Sequence, residues 1–164
     1  MTRNEMRAEL DLLLGVGLEA LRQRRQIQPM FVFVKDEQRE LVIAPWTNDN
    51  EKYAAAAVMT EKCLTGRWEA LLQLGDIWKV SKKPGPGESM EDLLAAEHLR
   101  PSLDPHRTEA LLVTCYTKGD ALALEQDYTH EKGKLVLIGE PQTTQTYSAI
   151  FDPWHERRSR PRAA

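Results

Sequence analysis

The side chains best suited to hold a ligand are Asp76, Trp78, His106 and Arg107, with Asp104 and Glu109 beside them. They flank residues 81–106, a stretch broken by Pro84-Gly85-Pro86-Gly87 and closed by Pro101 and Pro105. If the segments on either side pair as strands, this set lines one cleft. Trp78 then supplies an apolar wall, and the charged groups orient a small molecule or peptide. The plainer reading of the same residues is a loop tied down by polar caps and ion pairs. A second cluster, Arg157, Arg158, Arg160 and Arg162, sits in a tail rich in Pro and Arg. It reads as a partner-binding basic segment for nucleic acid or an acidic protein, or as a disordered solubilising end over 152–164.

Gly15-Val16-Gly17-Leu18-Glu19-Ala20 matches the dinucleotide-binding pattern G-x-G-x-x-[GA], and Asp36 follows at a suitable distance. That chemistry needs a strand before Gly15 and a phosphate on the N-terminus of the following helix. The surrounding residues predict something else. Met6, Leu10, Leu13, Leu14, Leu18 and Leu21 recur at three- and four-residue steps, the signature of one helix over residues 3–25. Thr2 and Glu5 have capping-box spacing, and the acids precede the arginines. Gly15 and Gly17 oppose this helix, and close packing is the reason for a helix to keep them.

Other chemistries find no motif. The sequence has no G-x-S-x-G elbow, no phosphate-binding G-x-x-x-x-G-K-[ST] and no H-E-x-x-H. His98, His106, His130 and His155 are scattered. Cys63 and Cys115 stand alone in apolar stretches, where cysteine behaves as a small hydrophobe. No catalytic residue, metal set or cofactor is assigned.

Composition bounds the rest. The 164 residues are 41% hydrophobic and 29% charged, which fits a globular chain and excludes global disorder or a disulfide scaffold. The net charge is −3; the segment 152–164 carries +2, leaving −5 on the body. An acidic body repels phosphate backbones, so nucleic acid is a disfavoured partner. No apolar run is long enough to span a membrane, and no apolar leader follows Met1, so a cytoplasmic location is expected.

The elements that position these residues follow from periodicity and turn signals. Met30–Val34 and Leu41–Ala44 read as a hairpin with a polar loop over 35–40. A second helix over about 50–65 starts at Asn48 or Asp49 and is capped by Gly66. Residues 67–80 fit either a helical face or a strand; a strand over 69–80 with Gly75 as a bulge or bend is favoured. Ser89 and Asp92 suggest a short helix over 90–99 within a flexible excursion, 81–106. Then come strands over 111–116, 121–129 and 135–138, the last stopped by Gly139 and Pro141, and a final strand over Thr146–Phe151. The expected fold is α+β: a mostly antiparallel five- to six-stranded sheet in the order α-β-β-α-β-[loop or short helix]-β-β-β, with two main helices on one face. Residues 1–151 make one domain.

This order of elements is similar to that of small roadblock- and profilin-like domains, and the resemblance implies dimerisation or partner binding. It extends to element order alone and transfers no activity. The leading expectation is therefore a non-enzymatic interaction or assembly domain that binds a protein partner or itself. The alternative is a small-molecule sensor or enzyme using a cleft near residues 76–109. A nucleic-acid adaptor working through the tail stands third.

Overall fold

The computed structural model describes residues 1–79, 86, 87, 89, 108–117 and 119–144. The excursion with its 90–99 helix, the strand expected over 146–151 and the tail lie outside these residues.

The leucine stripe forms α1, Arg3–Arg22. Its start is fixed by the capping box: Thr2 Oγ1 accepts from the Glu5 N–H while the Glu5 carboxylate accepts from the Thr2 N–H. Because the helix runs unbroken through Gly15, no strand precedes the glycines and the dinucleotide pattern has no phosphate site. The two glycines differ. A Cβ on Gly17 would stand 3.0 Å from Leu74 Cδ1 and 3.1 Å from Leu111 Cδ1, whereas one on Gly15 would meet nothing within 4 Å. Gly17 thus lets the helix lie close on the sheet.

The chain continues as β1 (Met30–Lys35), β2 (Gln38–Ile43), α2 (Asp49–Thr65), β3 (Ala70–Lys79), β4 (Thr108–Thr117), β5 (Ala121–Glu131) and β6 (Lys134–Thr144). The six strands form one sheet in the order β2-β1-β3-β4-β5-β6, with every neighbouring pair antiparallel. This is the α+β class read from the sequence.

Three local expectations are corrected. The β1–β2 connection is a turn at Asp36-Glu37, not a six-residue loop, and Asp36 takes a φ of 51°. Gly75 is neither bulge nor bend, since β3 and β4 stay in register through Gly75↔Leu112. Gly139 and Pro141 do not end β6. They sit where the β5–β6 register shifts, and Gly139 has a φ of 69°. The buried Gln126 amide spans that bulge, donating to the carbonyls of Ile138 (3.3 Å) and Gly139 (3.1 Å). A polar side chain thereby satisfies the carbonyls the ladder leaves unpaired.

The helices do not share a face. Met6, Leu10, Leu13 and Leu14 of α1 pack on Leu72, Leu74, Leu111, Val113 and Leu124. Met59 and Cys63 of α2 pack with Phe31, Phe33, Leu71 and Tyr116, which alternate with the first set along the strands. Successive strand residues point to opposite faces, so α1 and α2 cover opposite sides. The physical reason is β1 itself: Met-Phe-Val-Phe-Val is apolar at every position and needs cover above and below.

Candidate functional site

β1 begins at Met30, opposite Leu74, while β3 runs on to Lys79. Beyond Leu74, β3 loses its neighbour on that side. The connection from α1, Trp46 after β2 and Lys52 in the first turns of α2 surround the resulting notch, enclosing a cavity of about 520 Å³. That volume lies within the range of small-molecule sites.

The floor comes from the α2 side of the sheet. Gln73, Gly75 and Ile77 alternate along β3, and Thr114 and Leu112 stand opposite Gln73 and Gly75 on β4. Gly75 leaves open space, as an ideal Cβ there has no neighbour within 4 Å. Thr114 is 2% exposed, and its Oγ1 has no hydrogen-bond partner among the described residues. A buried hydroxyl without a partner costs about 1–3 kcal/mol.

The walls follow from the turn before α2. Trp46 tilts on Phe31 with ring centroids 6.3 Å apart, which anchors the indole to the core. Asn48 Oδ1 accepts from the Glu51 N–H at 2.9 Å, and Glu51 turns back to accept from the Thr47 N–H at 2.7 Å and hydroxyl at 2.9 Å. The helix start is therefore closed by its own side chains. Lys52, one residue further, forms no ion pair with another described residue. Farther along the same face, Lys79 is held between Glu125 and Asp127, 2.7 Å from the latter, so its charge is already balanced.

Asp76 and Trp78 stand at the rim, on the free edge of β3, with their side chains on the α1 side of the sheet, the face opposite Gln73, Gly75 and Ile77. Asp76 Oδ1 accepts from the Tyr128 hydroxyl at 2.8 Å. Partial burial is the main influence on its carboxyl and raises its pKa; the Tyr128 hydrogen bond pulls the other way, and the like charge of Glu109 adds to the rise. Burial and the adjacent Asp76 also hold the Tyr128 hydroxyl protonated well above its usual range. Trp78 is 45% exposed and faces Glu109 across the β3–β4 pair.

Of the ligand-binding residues read from the sequence, Asp76 and Trp78 meet at this cleft. His106 and Arg107 lie outside the described residues, as do Asp104 and the four tail arginines. Sequence reasoning missed Trp46, Lys52, Gln73 and Thr114. The available signals were an indole placed directly after Pro45 and a hydroxyl inside the apolar run Leu111–Tyr116. Among the described residues no three His, Cys, Asp or Glu side chains gather into a metal set, and no helix is long and apolar enough to cross a membrane. Comparison with known proteins finds no matching family model, no match among curated proteins and no match among solved structures.

Proposed function

We propose that the protein is a small-molecule-binding domain whose ligand occupies the cleft between β3, the α1–β1 connection and the start of α2. The observation that carries this reading is the Thr114 hydroxyl, buried beside the cavity without a partner. Folding alone favours valine there, which has the same shape without the desolvation penalty. A ligand that hydrogen-bonds the hydroxyl accounts for it. Gln73, directly opposite Thr114, supplies an amide donor and acceptor, and Trp46 supplies apolar contact. The test is a fragment screen followed through the indole N–H signals of the tryptophans. Hits that shift Trp46 and Trp78 and weaken in Thr114→Val support the reading. A screen whose hits all ignore Thr114→Val, with the variant folded, refutes it.

Association of two copies is a second reading, favoured by the outer edge of β2. Leu41 and Ile43 there are 55% and 51% exposed, and no described strand pairs beyond them. A two-fold axis perpendicular to the sheet would pair two β2 strands antiparallel and keep each residue on its own face. Leu41 would then meet Leu41, and Ile43 would stand opposite Arg39. The charges on this edge are already matched, Arg39 by Glu9 and Glu40 by Lys62 at 2.6 Å, so two copies approach without net repulsion. Light scattering on the full chain and on Leu41→Lys decides it: a dimer that dissociates in the variant supports the pairing, and a monomer at all concentrations refutes it.

A further inference from the structure

The cleft floor is one face of the sheet, the α2 side, and its polar groups separate by charge. Gln73 and Thr114 stand opposite each other across the β3–β4 pair, with Gly75 and Leu112 next along the strands. Thr114 is 2% exposed, and its hydroxyl has no partner among the described residues. Both groups are neutral, and each can donate and accept. The charges lie to either side of them. Lys52, partly buried on α2, lines the cavity and forms no ion pair with another described residue. The carboxylate of Glu51 beside it is held on Thr47 at the helix start. On the other side, Glu125 stands across from Leu112 on β5 and shares Lys79 with Asp127, so this group carries excess negative charge. Asp76 is on the opposite face of the sheet, bonded to Tyr128. The cleft thus has a positive end toward α2 and a negative end toward β5.

Resting on the reading of this cleft as a ligand site, we propose that its ligand is an organic monocarboxylate: a flat apolar body with the carboxylate toward Lys52 and a neutral hydrogen-bonding group, such as a phenolic hydroxyl, on Thr114 and Gln73. Each part follows from a group on the protein. A carboxylate answers the lone ammonium and lies away from Glu125 and Asp127. A cation meets Lys52 at one end and acids already engaged by Lys79 at the other. A neutral compound leaves Lys52 without a counter-charge. A phosphate monoester carries about two charges, while Lys52 is the only cation lining the cavity among the described residues, and the start of α2 is closed by Asn48 and Glu51. Trp46, Ile77 and Leu112 line the same space and suit a ring. Such a ring excludes water, which strengthens the pair at Lys52. The neutral group is needed because a purely apolar body leaves the buried Thr114 hydroxyl unsatisfied.

The experiment uses four probes of one frame: para-hydroxyphenylacetate, para-hydroxyphenylacetamide, phenylacetate and tyramine. They are titrated into the full chain at neutral pH and read by the Trp46 indole signal. Para-hydroxyphenylacetate should bind about tenfold more tightly than its amide, the size expected for one partly desolvated charge pair. It should bind about fivefold more tightly than phenylacetate, the size of one neutral hydrogen bond to a buried group. Tyramine should be the weakest of the four. Lys52→Met should erase the preference for the acid over the amide and keep the preference for the hydroxyl. Thr114→Val should do the reverse. Equal binding of acid and amide, or tighter binding of tyramine, at a site that Thr114→Val still weakens overturns the monocarboxylate and leaves the cleft reading standing. A fragment that binds in a Thr114-dependent way when none of the four does has the same consequence. So has a Thr114-dependent preference for the acid that survives Lys52→Met. If no compound binds in a Thr114-dependent way, both fall.

Discussion

Gly75→Val separates a cleft kept for a ligand from a gap left by chance. Glycine in a strand interior loses about 0.5–1 kcal/mol relative to alanine, because the unfolded chain has more freedom to lose. Host-protein scales place valine about 1 kcal/mol above glycine in strands. Both gains are available here. Gly75 has no positive φ, stays in register with Leu112, and offers a Cβ open space to 4 Å. The added Cβ would rise from the cleft floor between Gln73 and Ile77 with no neighbour within 4 Å. The variant should therefore be more stable by about 1 kcal/mol, a rise in Tm of about 2–4 °C for a chain of this size. It should also lose the ligand, since the added carbons occupy the space a ring would fill. Urea unfolding measures the first and the indole-signal titration the second. A variant that is less stable shows that the space above Gly75 is filled. A variant that binds cleft ligands as well as the parent shows that they sit elsewhere. Either result refutes the argument.

The remaining expectations are smaller in scope. Gly15→Ala should stabilise α1 by about 0.5–1 kcal/mol, because the helix gains alanine's propensity and the Cβ meets nothing, while Gly17→Ala should forfeit that gain against Leu74 and Leu111; parallel urea curves compare them. Burial, with the charges of Glu9 and Asp120 behind it, pushes the Cys115 thiol up to about 12, so iodoacetamide should modify it at mildly alkaline pH only as fast as the protein unfolds. The Asp76 carboxyl titrates above its unfolded value, so the folded chain keeps a proton that the unfolded chain releases. Stability from this site falls as pH rises through that window, and the loss is complete above the folded pKa. Asp76→Asn should accordingly melt above the parent at pH 7 and converge with it in acid.

Much of the fold was legible because periodicity and burial agree. The α1 stripe, the capping box at Thr2 and Glu5, and the alternating strands of the meander all report one apolar face against one solvated face. The errors arose where one face was not the whole story. β1 is apolar from Met30 through Val34, and Ala70-Leu71-Leu72 repeats the pattern in β3, so both strands are covered twice. That run carried the evidence for helices on opposite faces. Gly139 and Pro141 look like a stop because neither residue favours a strand, yet the Gln126 amide supplies from β5 the donors that the bulge lacks. No local pattern foretells such a contact between residues 12 or more apart. The candidate site divides the same way. Asp76 and Trp78 were visible as charged and aromatic residues beside a break. Lys52 and Trp46 reach the cleft only because α2 folds back across the sheet, and Thr114 is notable only once its missing partner is seen.

The distribution of local costs bears on function independently of any one residue. The cavity collects a glycine in mid-strand with open space above it and a buried hydroxyl without a partner among the described residues, and on the opposite face of the same strand Asp76 keeps a carboxyl whose charged form is disfavoured. Each is a departure from what stability alone selects, and each has a simple remedy that the genetic code permits: valine or alanine at Gly75, valine at Thr114, asparagine at Asp76. Elsewhere the sheet applies such remedies. Lys79 is matched by Glu125 and Asp127, and the Gln126 amide nitrogen donates to backbone carbonyls at its bulge. Rules of local consistency fail together where a site needs space and an open hydrogen bond. If the cleft were only a packing defect, repairing Gly75 and Thr114 singly should stabilise the protein and leave every binding property unchanged. If it is a binding site, the same repairs should stabilise the empty protein while each weakens its ligand.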